Sequence, residues 1–152
     1  MGEISRERWA ELYRYSFPKV YRALVATLLN AESARDALQH AFLVGLETRP
    51  QDRNPEGWLY RVALRHARRP LRRLSRLQNV GAESPEREVL DRIEVGQLLL
   101  LLTERQRSVV VAHYYLGFTQ VEIAELLEVS RGTVGATISA ALARMRQGVA
   151  NA

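Results

Sequence analysis

Arg61, Arg65, Arg68, Arg69, Arg72, Arg73 and Arg76 fall within 16 residues that hold no acidic side chain. Seven guanidinium groups on one helix repel one another, so the run costs stability unless an anion lies against it. The chemistry such groups offer is bidentate binding of phosphate oxygens rather than proton transfer, because arginine keeps its charge. Trp58 and Tyr60 sit near the start of the same stretch. Aromatic rings beside a basic face can stack unpaired bases while arginines hold the backbone. The alternative for the run is a solvated helix end, and for Trp58 a place in the core. Of the 22 basic residues only Lys19 is a lysine. That skew suits phosphate contacts, and it suits a GC-rich genome equally.

Nothing in the chain is arranged for catalysis. His40, His66 and His113 are scattered over separate helical stretches, and no paired carboxylates, activated nucleophile or phosphate loop accompanies them. With no cysteine there is no disulfide, no thiolate and no cysteine-based metal site. The expectation is a non-enzyme with no catalytic residues, metal or cofactor. The net charge of +5 points weakly to nucleic acid. No run of apolar residues approaches the length of a membrane span, and the opening MGEISRERW is charged from the start, unlike a signal peptide. A cytoplasmic protein without membrane insertion is expected.

The elements that must position these residues read as helices throughout. Ile4 to Ser16 makes a first helix, and Pro18 suits the first turn of a second. From Ser33 to Leu46, Ala34, Ala37, Leu38, Ala41, Phe42 and Gly45 form one stripe, while Asp36, Gln39, His40 and Leu43 face away. Asn54-Pro55 caps a fourth helix that carries the arginines toward Leu77, and Pro70 should kink it or end its regular part. QNVGAESPERE, residues 78–88, loses periodicity and reads as a linker. A helix over about Val89 to Leu102 follows. Thr103 with Gln106 makes a capping box that starts the next helix, and Gly117 ends it.

A second capping box, Thr119 with Glu122, opens a helix at about Gln120. Glu128-Val129 makes the turn, and Ser130 caps a last helix in which Val134, Ile138, Ala141, Leu142 and Met145 form one buried stripe. Two helices joined by so short a turn, with the small Ala124 at their crossing, describe a helix-turn-helix, although an ordinary αα-hairpin in a bundle has the same pattern. The whole is an all-α chain of two small helical domains, residues 1–77 and 89–152, joined by a short linker over 78–88.

LTERQRSVVVAHYYLGFTQVEIAELLEVSRGTV resembles the promoter-binding region 4 of the extracytoplasmic-function sigma factors. Leu102 to Arg107, Tyr114 to Gly117, Glu122 to Ala124 and Gly132 to Val134 carry the likeness in order and spacing. The first half is similar, more loosely, to that family's four-helix region 2: Asp36-x-x-Gln39 with Phe42, then Trp58-Leu59 and an arginine-rich helix. The resemblance implies a bacterial RNA polymerase sigma factor. Its partners would be core RNA polymerase, through the β′ clamp helices and the β flap, and promoter DNA, with room for an anti-sigma factor. Asp36, Gln39 and His40 would meet the polymerase. Asn54, Trp58, Arg61, Arg65, Arg68, Arg69, Arg72 and Arg73 would bind and melt the −10 element. Ser130, Arg131, Thr133, Thr137 and Arg144 would meet the −35 element in the major groove.

Departures from the family pattern fall on functional surfaces. The face of the last helix opposite its buried stripe is Gly132, Ala136, Ser139, Ala140, Ala143 and Gln147, none of them charged. Base readout needs long donors and acceptors, so −35 reading is expected to be weakened and the recognition helix degenerate. Gly132, Ala136 and Ala140 recur every four residues, as at a helix–helix contact, though small residues are also good surface helix formers. Where the family has an Asn and an Asp four apart, this chain has Arg65 and Arg69, and His40 stands in place of an acid. Glu128 occupies a turn position where glycine is usual. The alternative function is a sigma-like regulatory protein acting through protein–protein contacts without directing transcription.

Overall fold

The computed structural model describes residues 5–48, 50, 54–69 and 96–151. All regular elements among them are helical. Helix α1, Arg6–Leu28, starts at Ser5, whose side chain accepts from the Arg8 amide. Helix α2, Ala31–Thr48, starts where Asn30 Oδ1 accepts from the Ser33 amide at 2.9 Å. Helix α3, Pro55–Ala67, has Asn54 as its N-cap and proline in its first turn.

Pro18 lies inside α1 and does not begin a new helix, so three described helices replace the four expected before the linker. The apolar run on either side explains the continuity. Trp9 and Leu12 before the proline, and Val20 and Ala23 to Leu28 after it, are buried in one core. A single missing amide donor is a smaller loss than breaking that buried stripe would be. Helix α3 ends at Ala67, and its C-terminal cap Arg68 comes just before Pro70, as the proline predicts. The expected extension of that helix to Leu77, with Arg72, Arg73 and Arg76, lies outside the described residues. So do the linker and the start of the helix expected from Val89.

The second half opens with the short α4, Gly96–Leu99. Thr103 and Gln106 form the expected capping box, and α5, Glu104–Val110, runs directly into a wide π-type turn over Val111–Tyr115. Gly117 follows at φ +75°, which lets the Phe118 amide reach back to the Ala112 carbonyl at 2.8 Å. Helix α6, Gln120–Leu127, carries the second capping box, and α7, Arg131–Ala150, is capped by Ser130. Val134, Ile138 and Ala141 are buried, with Leu142 and Met145 packed at the edge, as the periodicity requires.

The two halves share one core. Phe118 is buried beside Tyr60, with ring centroids 6.3 Å apart, and its Cε1 would lie 2.2 Å from a Cβ built on Gly57. Glycine at 57 is therefore what lets the loop before α6 close on α3. Gly57→Ala should lower unfolding stability by about 1–3 kcal/mol, the usual cost of overpacking a filled core. Urea denaturation checks this, and unchanged stability would contradict the contact.

Candidate nucleic-acid interface

Three groups of predicted residues occupy three surfaces. On α2, Asp36 and Gln39 are exposed and His40 is half-buried. His40 stacks on His66 of α3 at 3.8 Å between ring centroids, and His66 Nε2 lies 3.3 Å from Asp36 Oδ2. His66 is a supporting residue that sequence reading set aside. Its spacing on α3 gave no hint that it would meet a carboxylate 30 positions earlier.

Beside this patch runs an apolar groove of about 440 Å³ between α1 and α2, lined by Trp9, Tyr13, Gln39, Phe42, Leu43 and Leu46 among others. Leu43 and Leu46 are exposed, at 61% and 43%, as is Tyr13 at 49%. The sequence signal for Leu43 was available: a large apolar residue on the outward face of an otherwise clean stripe.

At the C-terminal end of α3, Arg65 and Arg69 are exposed and Arg61 and Arg68 are half-buried. Trp58 is 9% exposed and packs edge-on against Trp9 at 5.8 Å, so this structure places it in the aromatic core rather than at the surface. Asn54 is also occupied: Oδ1 accepts from the Gly57 amide at 3.0 Å, and Nδ2 donates to the Leu116 carbonyl at 3.5 Å.

The end of α3 faces the second half of the chain. Arg68 Nη2 donates to Ser108 Oγ at 3.2 Å, and its Nε lies 3.8 Å from Glu104 Oε1. Tyr60 is fully buried; its hydroxyl lies 2.8 Å from Thr27 Oγ1 and 3.4 Å from the Ser108 carbonyl. The Thr27 hydroxyl also reaches the Ala23 carbonyl at 2.9 Å. Burial holds the Tyr60 hydroxyl far above its ordinary pKa, with the Thr27 hydrogen bond only partly opposing it, so it stays protonated.

The helix-turn-helix has the expected turn. Glu128 adopts φ 56° and ψ 44°, the left-handed conformation, and the Val129 amide closes onto the Ala124 carbonyl at 3.0 Å. On α7, Gly132, Ala136, Ser139, Ala140, Ala143 and Gln147 are all exposed. No described part of the chain covers the small-residue face, which does not form the contact between the halves. The hydroxyls of the three residues named for the −35 element are already engaged. Ser130 Oγ accepts from the Thr133 amide at 3.1 Å and pairs with Thr133 Oγ1 at 2.8 Å, while Thr137 donates to the Thr133 carbonyl at 2.8 Å. Among the residues named for the −35 element, that leaves exposed Arg131 and Arg144 as the long polar side chains.

Comparison with known proteins places this geometry. The family model described as "Sigma-70, region 4" matches residues 92–145. Two sigma factors of Mycobacterium tuberculosis are similar over nearly the whole chain. The extracytoplasmic-function RNA polymerase sigma factor SigL is 29% identical over 158 residues, covering 96% of this chain and 86% of its own. SigM is 29% identical over 156 residues, covering 95% of this chain and 79% of its own. Among solved structures, CnrH bound to the cytosolic domain of CnrY has a TM-score of 0.67 at 19% identity, covering 97% of this chain and 90% of that one. RpoE of Bartonella quintana, bound to the anti-sigma factor NepR, also has a TM-score of 0.67 at 19% identity, with 94% and 96% covered. The two-part helical fold is theirs.

The turn residue yields a direct check. A non-glycine residue in the left-handed region costs about 1–2 kcal/mol. Glu128→Gly should therefore raise unfolding stability by about 1 kcal/mol in chemical denaturation. A loss of stability would show that the Glu128 side chain stabilises the turn.

Proposed function

We infer that the chain belongs to the extracytoplasmic-function sigma factors and acts as one, binding core RNA polymerase and directing it to promoter DNA. The observation that carries this reading is a capped helix-turn-helix within a region 4 match, in a chain that aligns with such factors over nearly all of its length. Residues 1–77 then serve as region 2 and 89–152 as region 4, joined by 78–88.

Asp36, Gln39 and His40 form the polymerase patch, continued by the Tyr13, Leu43 and Leu46 groove, where an apolar partner surface would gain from burial. Arg61, Arg65, Arg68 and Arg69, with Arg72 and Arg73 beyond them, hold the −10 strand by its phosphates. Region 4 sets α7 at the −35 element. Ser130, Thr133 and Thr137 are bound up within the helix, so Arg131 and Arg144 hold phosphates and base discrimination is slight. The recognition helix is thus degenerate, and selection falls mainly on the −10 side. The protein works in the cytoplasm, where polymerase is, and performs no catalysis. Among the described residues no helix is long and apolar enough to cross a membrane.

A second reading draws on the same recognition helix. An exposed, uncharged face of small residues would equally suit a regulator that binds protein partners, an anti-sigma factor among them, without directing transcription.

The arginines separate the two readings. Arg65→Glu combined with Arg69→Glu should abolish transcription by the reconstituted holoenzyme while leaving the circular-dichroism spectrum and melting transition in place. Both side chains are exposed, so neither change disturbs the core. Full activity of the double variant would remove promoter binding from α3.

A further inference from the structure

We propose that His66 is a positioning residue of the polymerase patch: from inside α3 it holds the Asp36 carboxylate and stacks against His40, so that a surface carried by α2 is set by two helices. The proposal rests on the sigma-factor reading, which gives Asp36, Gln39 and His40 to the polymerase.

The contact joins a buried residue to an exposed one. His66 is 5% exposed, whereas the Asp36 side chain is 60% exposed. A histidine kept only for the core would be met by a group that is itself buried, where a hydrogen bond is strongest. Here Nε2 lies 3.3 Å from Oδ2 of a surface side chain on the neighbouring helix. An ionised carboxylate only accepts, so Nε2 carries the ring proton and donates. That bond takes one of about four acceptor positions on the carboxylate, which keeps capacity for a partner.

The helix itself does not account for an acid at position 36. Helix α2 starts at Ala31, and Asp36 lies past the first turn, where the dipole would favour a negative charge. Asp36, Gln39 and His40 are spaced i, i+3 and i+4, so they share one face. An exposed aspartate on such a face turns among its rotamers unless something holds it.

His40 completes the arrangement. Its ring lies on that of His66, with 3.8 Å between centroids and 18° between planes. The stack fixes the plane of the His66 ring, and with it the direction of Nε2. It also gives the half-buried His40 ring one position. Side chains held before contact cost less to order on binding. Arg65 and Arg69, both exposed, stand one position before and three after His66. The helix that carries the DNA-facing arginines therefore also sets the polymerase patch.

Three variants of the full chain test this. His66→Phe keeps a stacking ring and loses the donor. His66→Gln keeps a donor near the place of Nε2, and Asp36→Ala removes the group that is held. Side-chain couplings from NMR read whether Asp36 occupies one rotamer, and affinity for core RNA polymerase reads the consequence. The wild type should show one Asp36 rotamer, His66→Phe an average of several, and His66→Gln one again. His66→Phe should weaken polymerase binding about two- to tenfold, the scale of ordering one free side chain in an interface. His66→Gln should recover most of that loss. In the Asp36→Ala background, His66→Phe should change little, because the two act as a pair. If His66→Phe does not fold, Asp36→Ala decides through the ring nitrogen: the His66 Nε2 resonance should move when its acceptor is removed, and an unmoved resonance overturns the proposal. So does an averaged Asp36 in the wild type, or an affinity loss that persists undiminished without Asp36. A chain that fails to bind polymerase while Asp36 keeps one rotamer loses the sigma reading and retains the hold of His66 on Asp36. A chain that binds with Asp36 averaged does the reverse.

Discussion

A buried guanidinium is expensive unless its charge is met by well-placed oxygens, and Arg107 is met by the Thr27 carbonyl in the last turn of α1 and the Leu102 carbonyl ahead of α5. That requirement fixes α5 against the end of α1. Once α5 is there, Ser108 falls beside Tyr60 and Arg68, and the π-type turn carries Phe118 onto Gly57. The seam between the halves follows from one charged side chain that cannot be left without partners. Removing its guanidinium would leave the Thr27 and Leu102 carbonyls short of a donor as well as breaking the tie.

Much of the local structure was legible because it depends on residues three or four apart. Both capping boxes, the Ser130 cap, the proline-limited end of α3 and the buried stripe of α7 are each set by their own short segment. The reading failed where distant residues decide. Pro18 looked like a helix start because proline at a first turn is common, yet the buried residues on both sides keep α1 continuous. Trp58 carried equal claims to core and surface until Trp9, 49 positions earlier, took it inside. Arg107 reads locally as part of a family motif, and nothing in its neighbourhood announces a carbonyl 80 residues away. His66 and the groove beside Leu43 were hidden for the same reason.

The functional surfaces differ in how ready they are. The α1–α2 groove and its polar edge stand open to a partner as the chain is folded. The exposed face of α7 is also open, but beyond small side chains it offers only Ser139 and Gln147, with Arg131, Arg144 and Arg146 at its flanks. The end of α3 is the surface most involved in the seam, through Arg68.

Reconstituted transcription asks whether this chain directs RNA polymerase to promoters. Core enzyme, the purified protein and a library of promoter fragments should yield transcripts with defined start sites. Aligned upstream sequences should share a −10 element and show little preference at −35. Polymerase that binds the protein yet starts no specific transcript, or does not bind it at all, would contradict the account.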